Sequence, residues 1–125
     1  MNTILVLLAL FGIKHCICDY IFQTSDMVAE KGIYGAEGGI HHAIITGFGT
    51  FFALFIASVY WINITLSDIC WFGVIDAILH YHIDWVKQQL SRGLSITDHK
   101  FWVWFGVDQT LHYLTYLMII AMVVN

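Results

Sequence analysis

A chain of 125 residues and 14.3 kDa is enough for one compact unit and little more. Its residues are 59% hydrophobic and only 11% charged, with a mean hydropathy of +0.76, whereas a soluble domain carries roughly 25% charged residues. That balance excludes a soluble globule and a disordered chain. A net charge of −4 with five Lys and Arg in all excludes a nucleic-acid binder, so the composition is that of an integral membrane protein.

Hydropathy predicts four spans, each near the ~20 residues a bilayer requires: residues 2–24, 39–63, 67–89 and 100–124. The fold class expected is all-α, a single four-helix transmembrane bundle over residues 1–125. The N-terminal run MNTILVLLALFGIKHC has no basic start and no small-residue cleavage site, so it reads as a retained span. The first connector, SDMVAEKGIYGAEGG, is polar and Gly-rich with room for a short helix, and the second, around residues 63–66, is a tight turn. In the third connector Thr97 and Asp98 are placed to cap the last span. Cys16, Cys18 and Cys70 all sit in apolar runs and read as small core or lipid-facing residues. Lys31 lies in the first connector, and Lys87, Arg92 and Lys100 lie in or beside the third. The positive-inside rule therefore puts those two connectors in the cytoplasm and both termini outside.

Polar residues interrupt every span. The first holds His15, Asp19 and Gln23, the second opens on His41 and His42, the third holds Asp76, His80 and Asp84, and the fourth holds Asp108, Gln109 and His112. An ionisable group in hydrocarbon costs several kcal/mol unless paired or hydrated. His15 and Asp19, His80 and Asp84, and Asp108 and His112 are three (i, i+4) pairs, so each pair shares one helix face. Counting ~1.5 Å per residue, an up-down topology brings all four sets into the cytoplasmic half of the bundle. Imidazole and carboxylate are the ligands of zinc, iron or manganese, and a cation offsets the cost of burying several anions. The expected cofactor is a divalent metal, zinc first, held by some of His15, Asp19, His41, His42, His80, Asp84, Asp108 and His112, with His15, His80 and His112 the foremost ligands, each oriented or joined by its helical partner Asp19, Asp84 or Asp108. Gln23, Gln109 and Asp76 would hold those ligands in place. Either two ions share the set, or some members only orient the histidines. A hydrogen-bonded polar core without metal and a proton or cation path are the competing explanations. Haem suits the adjacent carboxylates badly.

The segments HCICDYIFQTSDMVAEKG, GGIHHAII, ILHYHIDWVKQQL and FGVDQTLHYL resemble a family of small bacterial and phage membrane proteins catalogued as domain of unknown function 3307. The resemblance covers nearly the whole chain. Its pattern is H-x-x-x-D-x-x-x-Q in the first span, a His opening the second, H-x-x-x-D-x-x-K in the third and D-Q-x-x-H in the fourth. It maps onto His15, Asp19 and Gln23, then His41 or His42, then His80, Asp84 and Lys87, then Asp108, Gln109 and His112. The layout is also similar to that of larger inner-membrane proteins described as metal-dependent hydrolases, an analogy that implies a multi-pass protein of a bacterial inner membrane.

A bound metal lowers the pKa of water toward ~7, and Asp84, on the cytoplasmic side of His80, is the expected general base. Lys87 and Lys31 would draw an anionic headgroup to the mouth. The expected function is hydrolysis of an ester or phosphoester of a lipid or other amphiphile at the cytoplasmic face. The alternative is a non-enzymatic phage or bacterial membrane protein, an exclusion or partner-binding factor, whose polar core only fixes packing.

Overall fold

The computed structural model describes residues 2–124, and every regular element among them is helical. Helix α1 (Thr3–Cys16) is opened by Asn2, whose side chain accepts the Ile4 N–H, and runs directly into a π-helical turn, Ile17–Ile21. Thr24 caps the short α2 (Ser25–Glu30) through the Met27 N–H. Two long helices follow, α3 (Glu37–Tyr60) and α4 (Leu66–Leu90), and α4 is capped by Thr65, which accepts the Asp68 N–H. Asp98 stands immediately before α5 (His99–Val124), but its carboxylate turns back to accept the Ser95 N–H at 2.7 Å. Gly35 and Gly93 carry the positive φ of the two longer connectors.

Three helices are long and apolar enough to cross a membrane: Thr3–Ile21, which joins α1 to its π turn, Glu37–Tyr60 and His99–Val124. The expected third span coincides in its bounds with α4, yet α4 is not apolar enough to stand with the others. The reason is chemical: Asp76, His80 and Asp84 occupy one face of it and are buried. Trp71, Val74, Ile78 and Val86 are exposed on its other side, together with the polar Asp68 near its start and His82.

The packing divides the bundle into two halves. Where the ends of α3 and α5 meet the starts of α1 and α4, Leu7, Phe11, Leu54, Ala57, Ile69, Tyr116, Ile119 and Ile120 form an apolar core. The opposite half buries Lys14, His15, Asp19, His42, Asp76, His80, Asp84, Asp108 and His112, while large apolar side chains face outward from every long helix. This inverts the arrangement of a water-soluble bundle, in which polar groups lie outside.

Helix α3 lies close to its neighbours because small residues recur along its buried side, among them Thr46, Gly47, Thr50, Ala53 and Ala57. A Cβ on Gly47 would stand 2.7 Å from the Gly73 carbonyl oxygen and 2.9 Å from Ala77 Cβ. Gly47→Ala is therefore expected to push α3 from α4 and to cost about 1–3 kcal/mol. Gly12→Ala, where a Cβ meets nothing within 4 Å, is expected to be neutral or to stabilise by roughly 0.5–1 kcal/mol. Unfolding of the two variants in detergent, followed by circular dichroism, checks the contrast.

Candidate metal centre

Four helices deliver six donor side chains to one place. The π turn presents Asp19, and its wider ring is closed by the Phe22 N–H donating to the Ile17 carbonyl at 2.9 Å. Such turns interrupt α-helices mostly where a side chain has a special task. The first turns of α3 supply His42, α4 supplies His80 and Asp84 one turn apart, and α5 supplies Asp108 and His112. All six are buried.

The ring nitrogens converge on the carboxylates. His80 Nε2 and His42 Nε2 are 3.0 Å apart, and both face Asp84 Oδ2, at 3.5 and 3.3 Å. Asp19 Oδ1 stands 3.4 Å from His80 Nε2 and 3.7 Å from His42 Nε2. On the other side His112 Nε2 lies 3.4 Å from Asp84 Oδ1 and 3.5 Å from Asp108 Oδ1. These atoms form three overlapping triads that could hold a metal ion: Asp19, His80 and His112; His42, His80 and Asp84; Asp84, Asp108 and His112. Bonds of ~2.0–2.1 Å to a tetrahedral ion put neighbouring donors about 3.3–3.4 Å apart, close to the spacings seen.

The hydrogen-bond inventory fits a cation as well. Asp19 Oδ1, Asp108 Oδ1, His42 Nδ1 and His80 Nδ1 are buried without a hydrogen-bond partner among the described residues. An unpaired carboxylate oxygen is costly inside a protein, and the two here lie beside the imidazole nitrogens. The donor set, oxygen and nitrogen without thiolate, suits zinc, iron or manganese.

A family model described as protein of unknown function (DUF3307) matches residues 6–125. The chain belongs to this family. No curated protein and no solved structure is significantly similar to it.

Several residues singled out from the sequence lie beside the cluster and not among its donors. Both ring nitrogens of His15 are engaged: Nε2 meets Gln109 Oε1 at 2.8 Å, and Nδ1 lies 2.9 Å from both the Tyr116 hydroxyl and Asp19 Oδ2. The ring is thus hydrogen-bonded on both sides and fixes one oxygen of Asp19. His41 is exposed; of the doubled histidines, the phase of α3 turns His42 inward. Asp76 accepts from Lys14 Nζ at 2.6 Å and from the Thr50 hydroxyl at 2.7 Å, and so belongs to a separate, deeper ion pair. Gln23 accepts from Lys31 Nζ at 2.7 Å, and Gln109 donates to Asp108 Oδ2 at 3.1 Å. Lys87 Nζ lies over the Phe101 ring, 5.4 Å from its centroid.

Three participants carried no expectation of this role. Lys31 Nζ sits 3.0 Å from Asp84 Oδ2. Lys14 also donates to the Tyr116 hydroxyl at 3.3 Å, which joins the deep ion pair to His15. The signal for the Lys14–Asp76 pair was available in charge balance, since each is an ionisable residue in an apolar run without an opposite charge on its own face. A cavity of about 100 Å³ connects the cluster to the surface, with Asp19, Gln23, Lys31, Asp84, Lys87 and Asp108 in its wall.

The side chains of Lys14 and Asp76 are 3% and 1% exposed, so neither charge can turn to water for relief. Lys14→Met is expected to destabilise the fold by about 3–5 kcal/mol, because it strands a buried carboxylate. The double variant Lys14→Met with Asp76→Leu is expected to recover most of that loss. Denaturant titration of both proteins in one detergent measures the difference.

Proposed function

We propose that this chain is a four-span membrane protein that holds a divalent cation, zinc first, and hydrolyses an ester or phosphoester of a lipid or other amphiphile at the cytoplasmic face of a bacterial inner membrane. The observation that carries the reading is the convergence of three His/Asp triads from four helices, with two buried carboxylate oxygens that have no hydrogen-bond donor. The reading that α4 spans is supported by its 25-residue length and by the large apolar side chains it exposes, Asp76 and Asp84 being buried against the other helices. Lys31, Lys87, Arg92 and Lys100 lie at the end of the bundle that carries the cluster, which supports a cytoplasmic mouth.

When bound, a divalent cation supplies Lewis acidity and makes water nucleophilic at neutral pH. The chain's own residues do the rest. His42, His80, His112, Asp19, Asp84 and Asp108 provide the donors, and His15 steadies Asp19. We assign Asp84 to holding the cation rather than to proton transfer, because imidazole nitrogens face both its oxygens and Lys31 faces one. Lys31 and Lys87, in the wall of the mouth, attract the anionic part of the substrate. In the reaction water adds across the scissile bond, the acyl–oxygen or phosphoryl–oxygen bond breaks, and an acid and an alcohol leave.

One observation favours the non-enzymatic alternative. Lys31 on Asp84 and Lys14 on Asp76 neutralise two of the buried carboxylates without any ion, as a core that only fixes helix register would require.

Detergent-purified protein is expected to carry metal by elemental analysis, and His80→Ala to carry less of it with the helical spectrum retained. Metal-free wild type that also fails to take up zinc or manganese would favour the packing role. A reporter fused to the C-terminal end is expected to read as periplasmic, and a cytoplasmic signal would overturn the orientation. Vesicles containing fluorogenic phosphoester or acyl-ester amphiphiles, incubated with the metal-loaded protein, test the hydrolysis itself.

A further inference from the structure

The six donors are more than one tetrahedral ion can use, and they are not distributed as one shell. Asp84 divides them. Its Oδ2 faces His42 and His80, the two rings that also flank Asp19 Oδ1. Its Oδ1 faces His112, the ring that also flanks Asp108 Oδ1. None of the three triads contains both Asp19 and Asp108, and none contains both His42 and His112; the triad of Asp19, His80 and His112 reaches across the two sides, as adjacent ions would require. Each side thus has its own imidazole and its own carboxylate oxygen without a hydrogen-bond donor, Asp19 Oδ1 on one and Asp108 Oδ1 on the other. These two aspartates are 7% and 6% exposed, and the two oxygens themselves are buried.

We infer that the cluster is a centre for two divalent cations bridged by the Asp84 carboxylate, one held with His42, His80 and Asp19 and the other with His112 and Asp108. The inference rests on the proposed metal-binding reading and goes beyond it in number and assignment. A carboxylate offers about four lone-pair sites, so Asp84 can bind one cation through each oxygen and still accept from Lys31 Nζ, 3.0 Å from Oδ2. Carboxylates shared between ions are how helical bundles hold metal pairs. A pair also fits the charge: of the three buried carboxylates only Asp84 has an ammonium at ion-pair distance, that of Lys31. Two ions make the centre positive at the end of a mouth walled by Lys31 and Lys87, and hence suited to an anionic group.

The experiment loads detergent-purified protein to saturation with Mn²⁺, removes the excess, and measures metal per chain together with the electron paramagnetic resonance spectrum. Wild type is expected to hold two equivalents and to show an exchange-coupled spectrum. Asp108→Asn and His42→Ala are each expected to hold one equivalent with the spectrum of an isolated ion. One equivalent and an uncoupled spectrum in wild type would overturn the two-ion assignment while leaving the metal-binding reading intact. No bound metal would overturn both. Two equivalents that both persist in Asp108→Asn would overturn the assignment of Asp108. Should a variant fail to fold, stoichiometry and coupling in wild type still decide the number of ions.

Discussion

A carboxylate withdrawn from water must find a positive charge or enough hydrogen-bond donors, and this chain withdraws four of them into one small bundle. Asp76 is answered by the Lys14 ammonium and the Thr50 hydroxyl. Asp84 is answered in part by Lys31. Asp19 and Asp108 receive only one donor-bearing neighbour on one oxygen, His15 and Gln109 respectively, and their other oxygens face imidazole nitrogens. The placement of the remaining polar groups follows from this imbalance. Histidines from three helices close around the carboxylates that lack a counter-charge, and the lysines near the mouth lie where their stems cross apolar surface and their ammonium groups reach the polar end.

The same constraint explains why the bundle is built in two halves. Charges can be buried together only if the helices approach closely enough to shield them from lipid, and α3 makes that possible with small residues along its buried side. At Gly49 a Cβ would come within 2.6 Å of Cys18 Sγ and 2.8 Å of Lys14 Cγ, so the bare glycine is what lets the α1 lysine pass behind α3 toward Asp76. In the other half, where no charge has to be shielded, Leu7, Phe11, Leu54 and Ile119 fill the space between the helices. Tyr116 joins the halves: its ring packs on Phe11, with centroids 5.2 Å apart, and its hydroxyl meets His15 and Lys14.

Much of this was legible in the sequence, for a definite reason. An (i, i+4) separation fixes a shared helix face whatever the tertiary context, so the His80–Asp84 and Asp108–His112 pairs could be read directly, and up-down connectivity then puts them at one depth. Helix phase against a neighbour is a different matter. Whether His41 or His42 turns inward depends on which side of α3 meets α4, and that is decided by glycine contacts remote from either histidine. His15 shows the second limit: spacing places a ring near a cluster but does not say whether its nitrogens are already engaged, here by Tyr116 and Gln109 from α5. The π turn had no marker either, since no proline or glycine lies in Ile17–Ile21. The polarity of α4 was visible residue by residue; that Asp76, His80 and Asp84 are all turned inward emerges only from the packing.

That π turn is the feature on which the geometry of Asp19 turns. The extra residue in the ring closed by Phe22 and Ile17 widens this part of the helix, and Asp19 Oδ2 lies 2.9 Å from His15 Nδ1. Oδ1 is left over and lies toward His80 of α4 and His42 of α3. A helix that had only to pack would gain nothing from such a turn, because a π ring gives up regular hydrogen bonding. Here the irregularity accompanies a buried oxygen, without a hydrogen-bond partner, that lies toward the imidazole nitrogens of two other helices, an arrangement that could hold a cation.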